Sequence, residues 1–178
     1  MSEAIIIIAV VLAVAIAVIL ILAATKPDTF RIERSATINA PADRIFAVLS
    51  DFHQWKGWSP WEKKDPELKR NFSGAERGKG AVYGWEGDKN VGTGRMEILE
   101  ATAPSKLVIK LDFFTPFEAH NTAEFTMLPQ GHATDIRWVM HGPAPFMSKV
   151  MQVFMNFDKM VGKDFETGLA NLKKLTEK

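Results

Sequence analysis

The chain has 178 residues, with 22 basic and 21 acidic side chains and a formal net charge of +1. This near-neutral balance contains no basic block, which argues against a nucleic-acid-binding protein. The sequence has no cysteine, so disulfides and thiolate metal sites are excluded. Five tryptophans and twelve phenylalanines are enough to build a large core or to line a pocket for an apolar ligand.

An uninterrupted apolar segment, AIIIIAVVLAVAIAVILILAA, occupies residues 4–24. An α-helix of this length spans about 30 Å, which is the thickness of the hydrocarbon core of a bilayer. We therefore predict a single-pass membrane anchor over residues 1–24. A buried core helix usually keeps a polar stripe, and none is present here. A secretory signal peptide remains an alternative, because the small residues Ala23 and Ala24 would suit cleavage.

The charges that flank the apolar segment bear on its orientation. Lys26, Arg31 and Arg34 follow the segment, and no basic residue precedes it. The positive-inside rule then predicts a single-pass membrane protein whose domain faces the cytoplasm. The bias is small, and Asp28 and Glu33 lie among the same charges, so the periplasmic or extracellular side stays an alternative.

The rest of the chain divides into a short linker, residues 25–29, and one domain, residues 30–178. Residues 30–38 alternate between apolar and polar side chains, which predicts a β-strand. Pro41 is typical of the first turn of a helix. The tryptophan-rich segment 53–61 follows that helix and contains a glycine and a proline, which predicts a helical turn and a loop.

The second half of the domain has the pattern of a β-meander followed by a helix. Turn-forming residues separate six further predicted strands, at residues 68–72, 80–86, 92–101, 106–114, 118–128 and 134–141. Short connections between successive strands predict antiparallel pairing. Apolar side chains then recur every three or four residues from Phe146 to Leu172, which predicts one long amphipathic helix. This order predicts an α+β fold in which the long helix packs on the sheet.

Three stretches resemble one known superfamily. Residues 32–61, IERSATINAPADRIFAVLSDFHQWKGWSPW, are similar to the opening strand, helix and aromatic loop of the START-like, pollen-allergen-type superfamily, SRPBCC, in its polyketide cyclase/dehydrase-like branch. Residues 132–143 resemble the last strand of that fold, and residues 158–175 resemble the end of its long helix. The resemblance implies a helix-grip fold, with a curved seven-stranded antiparallel sheet around a long C-terminal helix, to which this chain adds the transmembrane helix.

The resemblance also implies a cavity between sheet and helix that accepts a hydrophobic or amphipathic small molecule. Strand alternation and helix spacing identify eight candidate ligand-binding residues: Tyr83, Trp85, Leu111, Phe113, Phe125, Trp138, Met140 and Met151. Tyr83 and Trp85 are the best candidates, because each carries a polar tip that can orient a ligand. For every one of the eight, the alternative is ordinary core packing. Trp55, Trp58 and Trp61 likewise either pack against the core or contact a membrane interface or a portal of the cavity.

The sequence predicts no catalytic residue, no metal and no cofactor. None of the four histidines, His53, His120, His132 and His141, has a metal-binding spacing, and no glycine-rich phosphate loop is present. His120 and His141 lie on late predicted strands and are the candidate bases if the protein is an enzyme.

Three functions remain open at the level of the sequence. The first is a membrane-anchored binding module for a hydrophobic or lipid-like small molecule, with no nucleic-acid partner. The second is an enzyme of polyketide cyclase/dehydrase or hydrolase type. The third is a membrane-tethered module whose core is filled by its own side chains and which binds a protein partner. The predicted inner faces are almost wholly apolar, which favours binding over catalysis.

Overall fold

The computed structural model describes residues 2–178, and of Ser2 only the backbone. The elements in chain order are α1 (Ser2–Ala24), β1 (Thr29–Ile38), α2 (Ala42–Leu49), β2 (Lys69–Gly74), β3 (Ala81–Glu86), β4 (Thr93–Thr102), β5 (Lys106–Thr115), β6 (Ala119–Gln130), β7 (Ala133–Pro143), α3 (Phe146–Phe154) and α4 (Phe157–Thr176). Two 3₁₀ turns, Phe52–Gly57 and Pro60–Lys63, lie between α2 and β2.

The seven strands form one antiparallel sheet in the order β1-β7-β6-β5-β4-β3-β2. Strands β2 to β7 pair in sequence, and β1 adds to the edge at β7, so the chain forms a meander closed by its first strand. The strand ends lie within two residues of the predicted ones. The predicted α+β helix-grip fold is confirmed, because α4 packs on this sheet.

Helix α4 buries one apolar stripe against the sheet. Phe165, Leu169 and Leu172 on this stripe are almost fully buried. Gly168 lies on the same face, where an added Cβ would stand 2.8 Å from Cζ3 of Trp138 on β7. The glycine therefore permits a close approach of helix and sheet, and this explains a residue that costs about 1 kcal/mol relative to alanine in a helix.

Arg34 on β1 fastens the start of α4 to the sheet. Its guanidinium donates to the carboxylate of Asp158 at 3.0 Å and to that of Glu166 at 2.7 Å. The hydrogen bond from Arg34 lowers the pKa of Asp158, and the two carboxylates raise the pKa of Arg34. Gly162 lies beneath the guanidinium, where any side chain would overlap it.

The prediction of one uninterrupted helix from Phe146 to Leu172 was wrong, because the helix is broken into α3 and α4. Met155 has extended backbone, and Asn156 caps α4 by accepting a hydrogen bond from the backbone N–H of Lys159 at 2.9 Å. Asparagine is among the best residues at a helix N-terminus, so it favours a new start over continuation. The two helices also have different partners, since α3 contacts α1 and α4 contacts β1.

Helix α1 is the one helix among residues 2–178 that is long and apolar enough to cross a membrane. Apart from Ile19 and Ala23, its apolar span is exposed, which excludes the core-helix alternative. An N-terminal signal sequence and a membrane anchor both have these properties. The linker after α1 is tied to α3, because the ammonium of Lys149 donates to the carboxylate of Asp28.

Candidate functional site

A cavity of about 170 Å³ lies between the sheet and the first turns of α4. Its wall is predominantly apolar and combines side chains from β3 to β7, from α4 and from the loop that contains the two 3₁₀ turns. The alternation of each strand sends every second side chain inward, so Leu111 and Phe113 of β5 both reach it. A partly open cavity with this lining suits an apolar group more than a charged one.

One wall of the cavity is aromatic and depends on a glycine. The ring of Trp85 meets the ring of Phe113 edge-on, with centroids 5.6 Å apart. Trp85 lies opposite Gly94 in the β3–β4 register, and a side chain at position 94 would overlap the indole ring. Gly94 therefore leaves the room in which the Trp85 ring lies flat against the neighbouring strand.

The polar corner, which we define as Glu62, Tyr83 and Arg70, interrupts the apolar wall. The Tyr83 hydroxyl donates to Oε1 of Glu62 at 2.5 Å, and Nε of Arg70 donates to Oε2 at 2.6 Å. Both carboxylate oxygens of Glu62 are therefore used within the protein, and the side chain is only 5 % exposed. Glu62 and Tyr83 line the cavity, whereas Arg70 supports the carboxylate from behind the lining.

The electrostatics of the polar corner favour a neutral phenol beside a paired carboxylate. Burial raises the pKa of the Tyr83 hydroxyl, and its hydrogen bond to Glu62 raises that pKa further. The hydrogen bond to Glu62 raises the pKa of Arg70 as well. Tyr83 is thus held as a hydrogen-bond donor at any ordinary pH.

Trp138 supplies a polar atom that the protein leaves unpaired. The ring is stacked on Phe165 of α4, with centroids 4.0 Å apart and planes 4° apart, and it lines the cavity. Its indole Nε1–H is buried and has no acceptor among the described residues. Burial of an unpaired donor is unfavourable, so this N–H is a cost that the packing of the Trp138 ring must offset.

The structure brings six of the eight predicted ligand-binding residues to this cavity. These are Tyr83, Trp85, Leu111, Phe113, Trp138 and Met140. Phe125 faces inward but is fully buried behind the lining, where it packs against Trp138 with centroids 4.9 Å apart. Met151 lies on α3 and not on the cavity, because the break before Asn156 separates α3 from the helix that covers the sheet.

Several lining residues were not predicted, among them Trp55, Ser59, Trp61, Glu62, Val91 and Val161. The first four lie in the loop with the 3₁₀ turns, whose irregular backbone has no periodicity from which a face could be assigned. Trp61 and Val161 carried a signal, since one belongs to the tryptophan cluster and the other to the apolar stripe of α4.

The tryptophan-rich loop packs inward. Trp55 and Trp58 are buried, and Nε1 of Trp55 donates to the carbonyl oxygen of Leu49 at 3.0 Å. Trp61 meets Trp138 edge-on with centroids 5.8 Å apart. The core-packing interpretation is therefore confirmed for Trp55 and Trp58, whereas Trp61 is half-buried and lines the cavity.

The candidate bases lie away from the cavity. His120 pairs with Asp112 at 2.7 Å and is largely exposed, and His141 pairs with Glu124 at 2.8 Å. The hydrogen bond to Asp112 raises the pKa of His120. Within residues 2–178 there is no group of three or more His, Asp or Glu side chains placed to hold a metal ion. The acid that does reach the cavity is Glu62.

The fold and this cavity define a helix-grip protein with an apolar chamber between sheet and helix. The chain belongs to the polyketide cyclase / dehydrase and lipid transport family, whose sequence model matches residues 29–177. The match covers the sheet and α4 and leaves α1 outside. No curated protein matches the sequence.

Solved structures share the fold at low sequence identity. Protein CV1439 from Chromobacterium violaceum superposes with a TM-score of 0.58 at 15% identity, over 85% of this chain and 99% of its own. The di-domain ARO/CYC BexL from the BE-7585A biosynthetic pathway gives 0.60 at 13% identity, over 88% of this chain and 53% of its own. Ara h 8.0201 gives a TM-score of 0.54 at 12% identity, over 84% of this chain and 95% of its own. At these identities the likeness concerns the fold alone.

Proposed function

We propose that this protein is a membrane-anchored binding module for a hydrophobic or lipid-like small molecule. The observation that carries the proposal is the apolar cavity of about 170 Å³ between sheet and α4. A family that includes lipid transport is consistent with such a ligand. A core filled by its own side chains would leave no cavity, so this observation counts against a module that acts only through a protein partner.

The size of the cavity limits the ligand. Its volume of about 170 Å³ is close to that of an engineered apolar cavity of about 150 Å³ that binds benzene. It lies below the range of about 300–1,000 Å³ that is usual for drug-sized ligands. The cavity therefore suits one ring or a short acyl segment, with the remainder of a larger molecule outside.

We also propose that α1 is the anchor and that the domain faces the cytoplasm. An 18-residue stretch within Glu3–Ala24 has a mean hydropathy of 3.7, and Lys26 follows Ala24 after one intervening residue. An apolar ligand partitions into the bilayer, so a tethered domain meets it at a far higher local concentration than a free one. Retention of the chain in membranes after alkaline carbonate extraction is expected for an anchor, and release of a shortened chain would support a signal sequence.

Photoaffinity labelling tests the binding function on the full-length protein in membranes. The probe is a medium-chain fatty acid with a diazirine near its terminal carbon, and the labelled peptides are identified by mass spectrometry. We expect labels on the strands that line the cavity, β3 and β5, in addition to labels on α1. Labels confined to α1 would refute the proposal.

Two tryptophan variants of α4 test whether the photoaffinity probe enters the cavity. Val161→Trp places a large ring in the cavity from the second turn of α4, whereas Ala170→Trp places the same ring on the exposed face of that helix. We expect Val161→Trp to lose the cavity labels and Ala170→Trp to keep them. Equal labelling of the two variants would mean that the probe does not enter this cavity.

Glu62 supports a second candidate function, an enzyme of cyclase/dehydrase or hydrolase type. It is an acid at the cavity wall, and general acid–base catalysis needs such a group in reach of the substrate. Its two oxygens are already paired with Tyr83 and Arg70, so a substrate would have to displace one of them. An enzyme of the cyclase type should convert a linear poly-β-ketoacyl thioester by forming a carbon–carbon bond between an α-carbon and a keto carbon, with the keto oxygen leaving as water. Glu62→Gln should stop this conversion without loss of labelling.

A further inference from the structure

One end of the sheet lies next to the end of α1. In the strand register Thr29 is opposite Pro143, and Phe113 is opposite Ala119. The starts of β1, β4 and β6 and the ends of β3, β5 and β7 therefore lie together at one end of the sheet. We call this end the anchor end. The opposite end carries the β6–β7 turn with Gly131. Because β6 has twelve residues, the two ends are about 40 Å apart.

Helix α3 lies at the anchor end and packs beside the last turns of α1. The two helices are in contact, and within α1 the residues with reduced exposure are Ile19 and Ala23. At about 1.5 Å per residue these positions lie within about 8 Å of the end of α1. Interfacial helices bury their apolar faces about 5–10 Å deep at the boundary of headgroups and acyl chains, so α3 lies at that level if α1 spans the bilayer.

The outer face of α3 carries no charge. The single charged residue of this helix, Lys149, is buried and turned toward Asp28 of the linker. Three large apolar side chains remain in contact with solvent, namely Phe146, Met147 and Phe154, which are 50%, 65% and 67% exposed. A short helix with this distribution is typical of a segment that lies in a membrane interface.

Two further elements of the anchor end expose apolar side chains. Phe114 at the end of β5 and Phe117 in the β5–β6 hairpin are 51% and 64% exposed, and Met160 in the first turn of α4 is 55% exposed. A cluster of large apolar side chains at one end of a water-soluble domain marks a contact surface. At the opposite end, the β6–β7 turn with Gly131 and His132 contains no large apolar residue, and Leu128 near the end of β6 is a single exposed apolar side chain there, 58% exposed.

The cavity lies toward this same end. Trp85 is the penultimate residue of β3, Phe113 lies near the end of β5, and Val161 lies near the start of α4. Val91, another lining residue, belongs to the β3–β4 loop at the anchor end. An opening on this side would face the surface to which α1 tethers the domain.

We infer that the anchor end rests in the headgroup layer of the bilayer through the outer face of α3, the β5–β6 hairpin and Met160. The partner is a lipid surface, and the contact is continuous with the membrane-spanning α1, so the inference rests on the anchor proposed above. This seating holds the cavity against the bilayer, and an apolar ligand passes between lipid and cavity without crossing water.

Single-cysteine labelling tests the inference cleanly, because the chain has no cysteine of its own. Phe117→Cys and His132→Cys place one thiol in the hairpin at each end of β6, and each is labelled with NBD, a fluorophore sensitive to polarity. The full-length labelled proteins are placed in phosphatidylcholine liposomes with and without nitroxide headgroup lipids. We expect a blue-shifted emission and several-fold stronger quenching at position 117 than at position 132.

Equal, weak quenching at the two positions would overturn the inference. Met147→Cys, on the outer face of α3, is a second reporter and should behave like position 117. Carbonate extraction of the same liposomes separates this result from a failed anchor. A retained protein with a water-exposed label at 117 refutes the seating alone, whereas a released protein refutes both the anchor and the seating. Neither result depends on whether the cavity binds a ligand.

Discussion

The Tyr83→Phe variant tests the polar corner with a change of a single oxygen atom. The hydroxyl donates to Oε1 of Glu62 at 2.5 Å, and this carboxylate is 5 % exposed. Phenylalanine keeps the ring, which is stacked on Phe72 with centroids 5.1 Å apart. The substitution therefore removes a buried hydrogen bond to a charged acceptor and leaves the packing of the ring unchanged.

The expected cost is about 2 kcal/mol, since hydrogen bonds to charged groups contribute about 1.5–3 kcal/mol to stability. For a domain of this size a loss of 1 kcal/mol lowers the melting temperature by about 2–4 °C, so Tyr83→Phe should lower it by about 4–8 °C. The assay is thermal unfolding of the full-length protein in detergent micelles, followed by tryptophan fluorescence.

A double-mutant cycle with Glu62→Gln measures the part of the interaction that depends on the charge of Glu62. Glutamine removes the charge but retains an oxygen that accepts from the hydroxyl. The two single variants should each be destabilised, and the double variant should be less destabilised than their sum. A shift of less than about 1 °C in Tyr83→Phe, or strict additivity in the cycle, would refute the geometry assigned to the polar corner.

Three other predictions concern the same framework. Tyr83 is the only tyrosine, so the absorbance of tyrosinate reports its pKa directly. We expect this pKa to lie above the ordinary value of 10.0, and titration at 10.0 would contradict the prediction. Gly168→Ala should destabilise the protein by about 1–3 kcal/mol through overpacking, and about 1 kcal/mol of gained helix propensity offsets part of this cost. Gly162→Ala should cost less, because the Arg34 side chain can move. The urea midpoints of the two variants decide the order. The pKa of Asp158 is lowered by Arg34 in the folded state, so its stabilising contribution is present above the unfolded value of 3.8 and is lost as the pH falls below it. Asp158→Asn should therefore be less stable than the wild type at pH 7 and lose less stability on acidification, and parallel pH profiles would contradict this.

The sheet and the apolar wall were predictable because strands have a period of two. Alternation assigned Leu111 and Phe113 to one face, and Tyr83 and Trp85 to one face, without knowledge of the tertiary structure. The fold followed from strand number, short connections and a terminal helix. Met140 likewise follows from the alternation of β7.

The errors and omissions have local causes. The apolar stripe continues across Met155 and Asn156, so periodicity alone did not reveal that the asparagine side chain caps a new helix. Glu62 was missed because it lies in a 3₁₀ turn, and its partner Tyr83 is brought to it by tertiary structure. Phe125 was assigned to the correct face of β6. Whether its side chain lines the cavity or is buried behind the lining depends on its packing against Trp138, which has no signature in the sequence.

The most direct test of the central claim is whether the purified protein carries an apolar molecule. The full-length wild type and Val161→Trp are purified in the same detergent, extracted with organic solvent and analysed by mass spectrometry, with Ala170→Trp as the control. The account predicts a stoichiometric apolar compound in the wild type and in Ala170→Trp, and its loss from Val161→Trp. The absence of any compound enriched over detergent and bulk lipid in the wild type, or equal amounts in all three proteins, would contradict it.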